Sequence, residues 1–142
     1  PGCFNKEAWD PNHGKPFTEE TIEYILYHLK PKEISGLSIL GGEPMHPNNR
    51  ETVVDIMRAF KYKFPNKDIW MWTGYTLEKL LSENDEDIKS MLIYLDYLVD
   101  GQFVEEKKNL NLKWAGSENQ RWIDVQESMK QGFVVTKNML EK

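Results

Sequence analysis

Residues 37–47, LSILGGEPMHP, place one carboxylate, Glu43, on a glycine turn directly after an apolar run. Gly41 and Gly42 have no Cβ, so the backbone there can turn sharply and approach a ligand closely. A carboxylate on such a turn has the charge to receive an ammonium group or a metal ion. The motif fits equally a strand-to-helix loop whose glycines serve geometry alone and whose Glu43 is solvated. Two later apolar runs end in the same way, one in Thr73-Gly74 and one in Asp100-Gly101. That recurrence favours one ligand site shared by several strand ends, where open α/β sheets and barrels put their sites. Cys3 is the only cysteine, and by itself it reads first as a small buried hydrophobe. Of the histidines, His13 reads as an exposed loop residue and His28 as surface or helix-end packing, while loop geometry explains His46 as well as catalysis does.

The elements that would position these groups follow from apolar spacing. Leu37, Ile39 and Leu40 suit a strand covered on both faces, as parallel strands are. Before it, Ile22, Ile25, Leu26 and Leu29 make one helical stripe, capped by Thr18 and stopped by Pro31. After it, Asn48 and Glu51 have the spacing of a capping box, and Val53, Ile56, Met57, Phe60 and Phe64 give that helix its face. Asp68–Trp72 reads as the next strand, so that strand, helix and strand make a right-handed parallel crossover. Thr76 opens a short helix with Leu77, Leu80 and Leu81 inward. The acidic run 83–87 suits the start of a further helix buried through Ile88, Met91, Leu92 and Leu95. Residues 97–99 read as a third strand, Trp122, Ile123 and Val125 as another, and 132–135 as a short strand in a frayed tail.

Composition removes several classes of function. The 142 residues fit one domain. Eighteen basic against twenty-three acidic side chains give a formal charge of -5 with no basic stripe, which argues against nucleic acid and against an anionic membrane surface. No run approaches the roughly 18 apolar residues of a spanning helix, and no signal peptide is visible. A single cysteine excludes an internal disulfide framework and suits a reducing cytoplasm. The five Trp, six Tyr and six Phe read as core and interface material.

Four stretches taken in order carry a resemblance: PGCFNKEAW (1–9), DIWMWTGY (68–75), LVDGQF (98–103) and WAGSENQR (114–121). Together with GGEP, the set resembles the anaerobic ribonucleoside-triphosphate reductase activating proteins, small radical S-adenosylmethionine enzymes, from Pro1 to about Arg121. The resemblance implies an α/β fold, a partial (open) parallel β/α barrel, forming a single radical S-adenosylmethionine domain over residues 1–142. It implies a 4Fe-4S cluster held by a CxxxCxxC motif, with Cys3 as the third ligand. The first strand and the first two cysteines would then lie before Pro1, so the expectation is an N-terminally truncated chain. One thiolate would not hold a stable cluster, since most such clusters take four ligands of which most are Cys.

The family's chemistry implies the remaining assignments. A reduced cluster splits S-adenosyl-L-methionine to methionine and a 5'-deoxyadenosyl radical, and the protein aims these groups. Gly41, Gly42 and Glu43 carry over as the turn receiving the methionine ammonium group. Thr73 and Asp100 carry over as contacts to the methionine carboxylate, the ribose or a nearby cation, with turn stabilisation as the equal alternative. Ser117 and Asn119, with Gln120 beside them, would contact the adenosine or shape the mouth where a partner enters. Gln102 stands where some relatives have Lys, and Ala115 where Arg is common, so cationic contacts from those positions are not expected. The implied partners are the glycyl-radical subunit of anaerobic ribonucleotide reductase and a flavodoxin- or ferredoxin-like electron donor, in the cytoplasm. Two rival readings are an activase of another glycyl-radical enzyme, of the formate-lyase type, and a non-catalytic α/β module that binds a ligand or a partner.

Overall fold

The computed structural model describes residues 19–40 and 43–140. Helices α1 (Glu19–His28), α2 (Pro47–Lys63), α3 (Leu77–Ser82), α4 (Glu86–Tyr94) and α5 (Val125–Gln131) and strands β1 (Gly36–Ile39), β2 (Asp68–Trp72), β3 (Tyr97–Asp100), β4 (Arg121–Asp124) and β5 (Thr136–Lys137) follow in the order α1-β1-α2-β2-α3-α4-β3-β4-α5-β5. The strands form one sheet in the order β1-β2-β3-β4-β5. The first three strands are parallel, and β4 and β5 continue the sheet antiparallel.

Side-chain alternation gives this sheet two unlike faces. On one, Leu37, Ile39, Ile69, Met71, Leu98 and Ile123 are fully buried and join the apolar stripes of the helices in a single core. The expected stripes of α1, α2 and α4 face the core, with Phe60 and Met91 at zero exposure, but Leu29, Phe64 and Leu95 lie just past the helix ends and Ile22 and Phe64 are only partly buried. On the other face, Trp70, Trp72, Tyr97 and Trp122 stand side by side. The Trp70 ring lies 4.7 Å from Tyr97, 5.6 Å from Trp122 and 5.7 Å from Trp72, centroid to centroid. Trp114, from the loop before β4, packs on Trp70 at 5.0 Å. Aromatic pairs at such separations add to the stabilisation from buried area.

Several local expectations need correction. The cover that β1 was expected to have on both faces comes, among the described residues, from helices on one side only, and Leu40 lies past the strand end. The cap of α2 is His46, whose Nδ1 accepts from the Asn48 amide at 3.1 Å, so Asn48 lies inside the helix. Pro47 explains the earlier start, because its fixed φ and missing N–H suit the first turn. Leu81 is half exposed, whereas Leu77 and Leu80 are buried. Val125 begins α5 and is not part of a strand; Asp124 caps that helix through the Glu127 amide, and Gly132 closes it at φ +83°. The last strand falls at 136–137, beyond the expected 132–135.

Gly36 sits where the β1 backbone closely approaches that of β2. A Cβ there would clash with the Asp68 carbonyl oxygen and stand 3.0 Å from its carbon, across the β1–β2 register. Main chain cannot swing aside as a side chain can. Gly36→Ala is therefore expected to cost about 1–3 kcal/mol, read as a lowered thermal midpoint, whereas Gly132→Asn, where an added Cβ meets nothing within 4 Å, should be much milder despite its positive φ.

Candidate functional site

The turns after β1, β2 and β3 meet at one end of the parallel strands. Glu43 reaches from the first turn to the second: its Oε2 accepts from Thr73 Oγ1 at 2.5 Å and from the Met45 amide at 2.9 Å, and its Oε1 accepts from the Gly74 amide at 2.7 Å. Thr73 Oγ1 in turn accepts from the Tyr75 amide at 3.2 Å. The Tyr75 carbonyl takes the Gly101 amide at 2.9 Å, so the third turn is tied to the second. Gly74 allows this closeness, for an added Cβ would sit 3.3 Å from Glu43 Oε1. A carboxylate has about four acceptor positions. Three are used within the protein, so capacity remains for one cationic donor.

An open cavity of about 270 Å³ lies over this junction, lined by Glu43, Thr73, Gly74, Gly101 and Gln120 and walled by Trp72 and Phe103. Its lining combines polar groups with two aromatic side chains. Such a lining suits a ligand with an amine at one end and a flat ring at the other.

The residues named from sequence divide here. Glu43 and Thr73 come together, through a direct hydrogen bond. Cys3, Gly41 and Gly42 lie outside the described residues. Asp100 does not line the cavity: it is 1% exposed, accepts from the Leu77 amide at 2.8 Å, and takes Arg121 Nε at 3.0 Å and Nη2 at 2.6 Å. Ser117 is buried, its Oγ accepting from the Val104 amide at 3.1 Å, and Asn119 Nδ2 donates to the Gln102 carbonyl at 2.7 Å. Both tie the 114–120 loop to the 102–104 segment, and neither lines the cavity. Gln120 is the member of that stretch on the cavity, where its Nε2 donates to the Gly101 carbonyl at 2.9 Å and its Oε1 accepts from the Gly116 and Ser117 amides. Trp72 and Phe103 were not foreseen as cavity walls. For Trp72 the signal was present in the strand DIWMW, whose alternation puts Trp70 and Trp72 on one face. Trp72 Nε1 also donates to the Trp114 carbonyl, in a loop where Trp114 takes φ +70°.

Behind the site, Arg50 is nearly buried on α2. Its Nε donates to the Met45 carbonyl at 2.6 Å, and its Nη1 contacts Glu83 at 2.8 Å and Asp85 at 3.1 Å. Nη2 has no partner among the described residues. Burial alone would lower the Arg50 pKa, but the two carboxylates outweigh it and hold the charge. Burial likewise pushes the Asp85 carboxyl up. The amides of Asp87 and Ile88 and the Arg50 guanidinium outweigh that, so its pKa is depressed. A depressed carboxyl contributes stability above its unfolded value, about pH 4, and loses it as the pH falls through the lower folded value. Asp85→Asn keeps a helix-capping acceptor but removes the charge. Wild type should therefore melt above this variant at pH 7, and the gap should narrow as the pH falls below the unfolded value of about 4.

Among the described residues no group of three or more His, Cys, Asp or Glu side chains is placed to hold a metal ion. None of their helices is long and apolar enough to cross a membrane.

Over residues 1–123 the chain matches the family of 4Fe-4S single cluster domains, which makes it an iron–sulfur domain by family. It is 42% identical over 121 residues to the anaerobic ribonucleoside-triphosphate reductase-activating protein of Vibrio cholerae, covering 84% of this chain and 76% of the relative. The protein of the same name from Enterobacteria phage T4 is 41% identical over 124 residues, covering 84% and 72%, and that of Escherichia coli K12 is 38% identical over 122 residues, covering 84% and 77%. The chain belongs to the family of anaerobic ribonucleoside-triphosphate reductase-activating proteins. No solved structure matches it.

Proposed function

We propose that this protein activates anaerobic ribonucleoside-triphosphate reductase by generating a glycyl radical on it, using S-adenosyl-L-methionine and a 4Fe-4S cluster. The observation that carries the reading is the Glu43 carboxylate, aimed at an open cavity by Thr73 and Gly74 and left with acceptor capacity for an ammonium group. Glu43 would hold the methionine amine, while Trp72 and Phe103 offer faces for the adenine. Gln120 fixes the Gly101 carbonyl at the rim. Cys3, outside the described residues, would supply a thiolate to the cluster. When bound, the cluster would supply the one-electron reduction of the cosubstrate's sulfonium, and the radical so released would take the Cα hydrogen of a glycine in the partner.

The open cavity supports a protein loop as the substrate. Phe103 on the cavity, and Trp114 bonded to Trp72 of its lining, are each about half exposed and offer apolar contact surface. We read the parallel trio β1–β3 as the arc of a partial barrel with the cavity at its mouth, and the cytoplasm as the place of action with a flavodoxin- or ferredoxin-like electron donor. Asp100, Ser117 and Asn119 act in this reading by holding the turns that form the cavity.

The test is electron paramagnetic resonance on the protein in its native length, reconstituted anaerobically with iron and sulfide and then reduced. A cluster signal that shifts on addition of S-adenosylmethionine, followed by a glycyl signal once the reductase is present, is expected. A cluster signal that does not respond to the cosubstrate would overturn the reading, and the binding module would take its place.

A further inference from the structure

Glu43 is held at the site by its carboxylate, but the turn that carries it is held from behind by two consecutive side chains of α2. Asn49 Nδ2 donates to the Glu43 carbonyl at 2.8 Å, and Arg50 Nε donates to the Met45 carbonyl at 2.6 Å. The far side of the same guanidinium meets Glu83 and Asp85, at the junction of α3 and α4, and its central carbon lies 5.9 Å from the centre of the Tyr75 ring. Tyr75 belongs to the turn that supplies Thr73 and Gly74, the groups that hold the Glu43 carboxylate. One planar group thus references the first turn to the second. With 4% of its side chain exposed, Arg50 is not available to a ligand itself.

We propose that Arg50 is a positioning residue that sets where the Glu43 carboxylate stands, and thereby the affinity of the cavity for the ammonium group of its cosubstrate. The inference rests on the function proposed above for what the cavity binds, though not for what Arg50 holds. The chemistry requires Arg in particular. A guanidinium presents donors in a rigid fork, so Nε can serve the Met45 carbonyl while Nη1 serves the carboxylates. A lysine ammonium keeps the charge but has no fixed plane with which to hold both sides.

The test compares wild type and Arg50→Lys in the native-length, reconstituted protein. Calorimetric titration should show the dissociation constant of S-adenosylmethionine raised about tenfold, the lower end of what supporting-shell changes cost. In the Glu43→Gln background the same replacement should change it less than about twofold, because the effect travels through Glu43. Hydrogen exchange supplies a readout that needs no cosubstrate. The Gly74 amide, donated to Glu43 Oε1, should exchange several-fold faster in Arg50→Lys, while the adjacent Thr73 amide, donated to the Val99 carbonyl, should not change. Equal exchange at Gly74 in the two proteins, or an undiminished affinity loss in the Glu43→Gln background, would overturn the proposal. A wild type that binds no S-adenosylmethionine would overturn the proposed function, and the Gly74 amide would still decide the role of Arg50. Should Arg50→Lys fail to fold, Glu83→Gln removes one anchor of the fork and keeps Asp85. It should speed Gly74 exchange in the same direction, and no change would count against the proposal.

Discussion

Glu43→Gln is expected to weaken S-adenosylmethionine binding by about 10–100-fold, because the lost charge-assisted hydrogen bond is worth about 1.5–3 kcal/mol and each 1.4 kcal/mol is tenfold. The replacement is nearly isosteric, so the loss comes from charge and from donor polarity. In wild type both carboxylate oxygens accept from the protein, Oε1 from Gly74 and Oε2 from Thr73 and Met45. A glutamine must turn its NH₂ toward one of those sides, where it meets another donor. Glu43→Asp should fall between the two, since it keeps the charge but is one methylene too short to reach both Thr73 and Gly74. Calorimetric titration measures the affinity. Iron content per protein should be unchanged in both variants, because Glu43 is assigned to the cosubstrate and not to the cluster. A Glu43→Gln protein that binds like wild type would return Glu43 to the reading in which it only braces a strand-to-helix loop.

Glu43 and Thr73 were legible in the sequence for one physical reason: each lies close after an apolar strand run, next to glycine in the sequence, a pattern that marks a strand end. The helical stripes of α1, α2 and α4 were legible because their apolar side chains recur at helical spacing. α5 was not, since VQESMKQ buries little beyond Val125 and Ser128 and its start lies against the apolar Trp122-Ile123 pair. Its ends were nevertheless marked, by Asp124 as cap and Gly132 as stop. The cap of α2 was misplaced by one motif competing with another, the Asn48/Glu51 spacing against Pro47. The contribution of Arg50 to the site had no local signal, because its carboxylates lie 33 and 35 residues further on. Only the packing of α2 against α4 brings them together.

At the end of β3 the Asp100 carboxylate is held by protein groups, the Leu77 amide and Arg121. Leu98 and Asp100 are two residues apart on β3, so they share a face, and Leu98 is in the helix-covered core. The Asp100 carboxylate accordingly lies under α3, fixing the Leu77 amide and pairing with Arg121, its direct neighbour across the β3–β4 register. Arg121 also reaches Glu78 at 2.6 Å, and its pKa is raised by Asp100 first and Glu78 second. Asp100→Asn is therefore expected to cost about 2–3 kcal/mol, below the 3–5 typical of breaking a buried pair, because the Arg121 side chain is 31% exposed and keeps Glu78. For a chain of this size that is a fall in thermal midpoint of roughly 6–10 °C. The same cost should appear as coupling: adding Arg121→Gln to Asp100→Asn should lower the midpoint much less than the two single changes summed. Cosubstrate affinity measured well below that midpoint should move by less than about threefold, since on this geometry Asp100 touches the turn and not the ligand. An unchanged midpoint combined with lost affinity would place the Asp100 carboxylate on the ligand, and the helix-side geometry would then describe a resting arrangement that the cosubstrate displaces.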